Sequence, residues 1–137
     1  MLRFVFAGAM VVAAGACMTP SGVTPVINVQ PGRQFDLAVG QEAQIQGTSV
    51  NVRFSGVGED SRCAIDVQCV WAGNAVVMLT LRSSDAPASE SALNTTLDPK
   101  QTAYAGYNIR LIALKPAPKS GTPKPATEYV ATLEVVN

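Results

Sequence analysis

The chain has 137 residues, ten basic against ten acidic, three cysteines and no histidine. Balanced charge gives no field of one sign to draw in nucleic acid, so that partner class is set aside. Without histidine, Ser-His-Asp, Cys-His and histidine-ligated metal mechanisms are excluded. Sparse charge (15%) and abundant apolar residues (47%) describe a packed globular domain, not a disordered one.

The first element is an export signal. Arg3 supplies the positive start, Phe4 to Ala16 is an apolar run, and Ala14-Gly15-Ala16 supplies small residues for a peptidase. The run falls short of the roughly 20 residues a membrane-spanning helix needs. Residues 1–16 are therefore expected to be removed. The junction Ala14-Gly15-Ala16-Cys17 resembles the lipobox of bacterial lipoproteins, with Ala14 where leucine is more usual. That resemblance implies lipid on Cys17, and stable anchoring follows from several acyl chains on one residue. An ordinary A-x-A cut would instead leave Cys17 as a free thiol. Met18 follows, not the aspartate that retains some such lipoproteins at the inner membrane. The expected location is the cell envelope, anchored to an outer membrane and facing periplasm or surface; the alternative is a soluble periplasmic or secreted form. Removing 1–16 leaves one domain's worth of chain, long enough for a core.

Residues 17–32 are rich in Pro, Thr, Ser and Gly and read as a flexible tether, with Val26 to Val29 compatible with an edge strand. From residue 33 to 137 the apolar period is two. Phe35, Leu37 and Val39 alternate with Gln34, Asp36 and Ala38; Ala43 and Ile45 follow, then Val50, Val52 and Phe54. Ala75 to Leu81 is more uniformly apolar and predicts a central strand buried on both faces. Leu93 to Leu97 is a weaker strand. Tyr107, Ile109, Leu111 and Ala113 alternate, as do Tyr129, Ala131, Leu133 and Val135. The fold class is all-β: one antiparallel sandwich or small barrel of about six to eight strands. Ser83 to Ser91 and Lys115 to Thr127 are long loops. The second carries Lys115, Lys119 and Lys124 among four prolines. It reads as a stiffened, solvated loop; contact with an anionic surface is the rival reading.

Between the strands lies the segment from Gly58 to Asn74. Cys63 and Cys69 are expected to form a disulfide, the default in an exported protein and the one pairing left if Cys17 carries lipid. Two cysteines without histidine or a second cysteine pair make no structural zinc site, and Glu59, Asp60 and Asp66 match no calcium loop. No metal and no cofactor are expected. Asp60 suits loop amides, and Arg62 suits a carboxylate or backbone carbonyls. Trp71, the single tryptophan, is expected to pack over the sulfurs and seal the core; an exposed platform for a partner is its rival role. Gly73-Asn74 reads as a turn.

Asp60-Ser61-Arg62-Cys63, Val67, Cys69 and Trp71-Ala72-Gly73 resemble the motif D-S-R-C-P-x-x-V-x-C-x-W-A-G of small exported bacterial proteins and lipoproteins of unknown function. Ala64 stands where that group has proline. The resemblance loosely spans residues 35 to 136 and implies a β fold with a clamped loop, but no activity.

No catalytic motif is present, so an enzyme is not expected. The leading expectation is a non-catalytic envelope lipoprotein whose β domain is a binding or assembly module for an envelope protein or polysaccharide. Its candidate contact loop includes Asp60, Arg62 and Trp71. Two alternatives stand: a secreted, inhibitor-like binder using a preorganised loop, and a small hydrolase using Glu59, Asp60 and Asp66.

Overall fold

The computed structural model describes residues 25–122 and 124–137. The expected signal, Cys17 and the first half of the tether lie outside the described residues. Nine strands follow in order: β1 (Val26–Val29), β2 (Gln34–Ala38), β3 (Glu42–Ile45), β4 (Asn51–Asp60), β5 (Ala75–Arg82), β6 (Ser89–Asn94), β7 (Gln101–Tyr104), β8 (Tyr107–Lys115) and β9 (Val130–Val136). A short 3-10 turn, Ala126–Glu128, precedes β9. Among the described residues no helix is long and apolar enough to cross a membrane.

The strands form two sheets, ordered β1-β3-β4-β5-β6 and β2-β9-β8-β7. The chain leaves the first sheet for β2 and returns for β3. β2 is thus the crossover that lets β1 lie parallel to β3; every other pairing is antiparallel. The period-two residues fill the space between the sheets. Phe54, Leu79, Leu93, Ile109 and Leu133 are all fully buried. Each such side chain contributes about 1.5–3 kcal/mol by leaving water. The all-β expectation holds, as a sandwich of nine strands.

Several local expectations need correction. The tether is not free as far as residue 32, because Val26–Val29 pairs with β3 as an edge strand. β5 is interior to its sheet but fully buried on one face only. Ala75, Val77, Leu79 and Leu81 face the core, while Val76, Met78 and Thr80 are half-buried on the outer face, which no second layer among the described residues covers. The weak strand starts earlier, at Ser89, and ends at Asn94, so Leu97 lies in the following loop. β7 carries no alternation legible in the sequence, because only Tyr104 of its four residues is buried. In β8 a bulge between Leu111 and Ala113 shifts the phase, so Leu114 enters the core and Ala113 is only half-buried, while Ile112 faces out as the alternation has it.

β4 passes two bulges and continues to Asp60, paired with Ala75 at the start of β5. The long β4–β5 hairpin therefore carries the cysteine segment to one end of the sandwich.

Candidate functional site

At that end the chain from Ser61 to Asn74 forms a closed loop. Its neck extends the hairpin: Ser61 N donates to Asn74 O at 2.7 Å and Cys63 N to Ala72 O at 2.9 Å. Gly73 makes the close approach possible. It has φ of 69°, and a Cβ there would fall 1.9 Å from the Ser61 carbonyl oxygen. Asn74, nearly buried, spends its amide on the next loop. Its Nδ2 donates to Asn94 Oδ1 at 2.8 Å, and its Oδ1 accepts from Thr96 N and Leu97 N.

The Cys63–Cys69 disulfide is formed, with Cα atoms 5.9 Å apart. The loop-entropy relation for a seven-residue ring assigns it about 2.4 kcal/mol. A Cys63→Ser/Cys69→Ser variant is therefore expected to melt about 10 °C lower in a calorimetric scan while keeping its β-sheet circular dichroism.

Asp60 and Arg62 hold the loop to the opposite sheet. Arg62 forks onto the carboxylate, Nε to Oδ1 and Nη2 to Oδ2, each at 2.8 Å. Its Nη1 donates to Leu114 O at 2.7 Å and its Nη2 also to Pro116 O at 3.0 Å, at the end of β8. The Tyr129 hydroxyl donates to Asp60 Oδ2 at 2.9 Å. Both partners of the ion pair are well covered. The loop itself meets the β8–β9 connection: Ile65 N donates to Pro118 O, and both oxygens of Asp66 accept from Ser120, one from its amide and one from its hydroxyl.

Hydrogen bonds from Arg62, outweighing partial burial, lower the Asp60 carboxyl to about 2. The Tyr129 hydroxyl, partly desolvated and facing that carboxylate, is raised. A carboxylate held below its ordinary 3.8 adds stability that is complete above pH 3.8 and lost as pH falls through about 2. Solvent at the loop rim screens part of it, leaving about 1–2 kcal/mol. Asp36 and Asp66 are also lowered and act in the same direction, Asp36 mainly through the Thr132 hydroxyl and Asp66 through Ser120. Urea midpoints should therefore fall between pH 5 and pH 2, with a shallower fall in Asp60→Asn.

The loop tip is apolar and faces water. Ile65 is 72% exposed, Val67 47%, Val70 fully and Trp71 55%. Trp71 thus does not seal the core as expected; the neck hydrogen bonds and Gly73 close that end, and the indole stands outside. Of the three candidate loop residues, Asp60 and Arg62 come together and brace, while Trp71 is presented. Sequence reasoning misses Ile65, Val67 and Val70, although apolar residues inside a segment with no strand alternation are a usable signal. It misses Tyr129 and Asn74 as partners because their contacts are remote in sequence.

The three lysines of the β8–β9 loop do not form one patch. Lys115 pairs with Asp36 at 3.0 Å, and Lys124 donates to Pro116 O and lies over the Tyr129 ring. Lys119 is exposed between the two residues bonded to the cysteine loop. Among the described residues the surface has no cavity, and no three acidic or cysteine side chains gather as a metal site.

Fold and site define a class: a β-sandwich presenting a disulfide-closed, apolar-tipped loop. Comparison with family models, with curated proteins and with solved structures returns no match.

Proposed function

We propose that this protein is a non-catalytic binding or assembly module of a bacterial envelope lipoprotein, and that the Cys63–Cys69 loop is its contact element. One observation carries the reading: Ile65, Val67, Val70 and Trp71 face water on a loop that is covalently closed and hydrogen-bonded to its neighbour. Exposing four such side chains side by side is unfavourable unless something covers them. A loop already rigid loses little freedom on binding. The carboxylates support the non-catalytic reading. A general acid needs a raised pKa, whereas Asp60 is lowered by an internal ion pair and Asp66 by Ser120.

A photo-crosslinking amino acid at Val70, introduced in cells, tests this. It is expected to capture an envelope component, whereas the same probe at Gln46, exposed in the turn at the far end, captures none. Equal, background labelling at both positions would refute the contact role.

A further inference from the structure

Two features at one end of the sandwich have to be explained together. The first is the distribution of exposed apolar side chains. Seven large ones stand exposed among the described residues, and five of them (Ile65, Val67, Val70, Trp71 and Leu97) sit on two loops of this end, the cysteine loop and the β6–β7 connection. Asn74 ties those loops to each other. The second feature is the path of the chain. β4 rises toward this end from Asn51 to Asp60. β3 is antiparallel to it and β1 parallel to β3, so both descend away from it. Val26, level with Glu42 and Arg53, is thus the end of β1 nearer the apolar cap, and the chain runs away from the cap as it passes through β1.

We infer that the apolar cap rests on the phospholipid bilayer to which Cys17 is anchored. This rests on the contact role proposed above and names the partner. From Arg53 to Asp60 a strand rises about 20 Å, allowing for its two bulges. From Cys17 to Val26 a fully extended chain spans at most about 30 Å. With the strands upright and the cap turned toward the bilayer, the tether therefore holds the cap within about 10 Å of the membrane surface. The chemistry of the cap suits that surface. An indole and branched aliphatic side chains favour the headgroup boundary. Lys119, exposed beside them, is placed to meet lipid phosphate. The Asp66 carboxylate is engaged by Ser120, and Asp60 is turned inward onto Arg62.

Trp71 is the chain's single tryptophan, so its fluorescence reports on the cap alone. The lipid-bearing protein, extracted from membranes, is reconstituted into vesicles of phosphatidylethanolamine and phosphatidylglycerol. Trp71 emission is expected to shift to the blue, to lose access to aqueous iodide, and to be quenched by lipids brominated in the acyl chains. Val70→Asp changes a fully exposed residue, so the fold is retained. It is expected to abolish the shift, since an apolar side chain of this size contributes about tenfold in partition. Emission that stays water-like and iodide-accessible on the vesicles overturns the bilayer assignment. If Val70 then still crosslinks to an envelope protein in cells, the contact role stands and only the lipid partner falls; if it captures nothing, both fall. Recovery of the chain with no lipid on Cys17 removes the anchor and overturns the inference at its first step.

Discussion

Gly73→Ala is expected to be the most damaging single-methyl change in the domain, lowering stability by about 4 kcal/mol or more and leaving little soluble protein. Two costs add. An alanine in the left-handed region is strained by about 1–2 kcal/mol. The new methyl would also collide with the Ser61 carbonyl, 1.9 Å away, and with the Arg62 backbone. Relief requires opening the loop neck, where Ser61 and Cys63 bond Asn74 and Ala72. Gly106→Ala is the control. Gly106 has φ of 85°, but a methyl added there would meet nothing within 4 Å, so only the strain cost applies. Thermal melts of the two variants should differ widely. Equal melting temperatures would mean that the neck is not packed as described.

Arg62→Ala is expected to cost about 3 kcal/mol, a drop in melting temperature on the order of 15 °C. The loss exceeds that of a surface ion pair because the guanidinium serves three acceptors. Without it, Asp60 keeps only Tyr129 and its own loop amide, and the Leu114 and Pro116 carbonyls lose a donor. Arg62→Lys should recover only part, since an ammonium cannot fork onto the carboxylate while reaching both carbonyls. A second readout separates brace from contact. Below the melt, crosslinking from Val70 should be unchanged in Arg62→Ala, because Arg62 faces inward. In the same variant the Asp60 carboxyl returns toward its ordinary value, so the acid-induced loss between pH 5 and pH 2 becomes shallower, as in Asp60→Asn. Undiminished stability would show that the Arg62 bonds do not hold the loop to the opposite sheet.

The two largest effects thus fall on the loop's foundation and not on its tip. Substitutions at Ile65, Val67, Val70 or Trp71 should change stability little, since these side chains are already in water. That separation lets the contact role be tested without unfolding the domain.

Local chemistry made much of this molecule readable from its residues. Alternation at Phe35/Leu37, Val52/Phe54 and Leu133/Val135 determined the sandwich, because a pleated strand sends successive side chains to opposite faces. Two nearby cysteines determined the bridge, and Asp60 and Arg62 announced hydrogen-bond anchors by their chemistry. Tertiary structure alone decided the rest. The Arg62 acceptor at Leu114 lies 52 residues away and the Asp60 donor Tyr129 lies 69 away, so sheet pairing chose them. The β8 bulge brought Leu114 into the core where the alternation expected Ala113. Trp71 went outward for the same kind of reason. Whether an apolar side chain is covered depends on which surfaces the packed sheets bring to that end, and a run of residues does not carry that information.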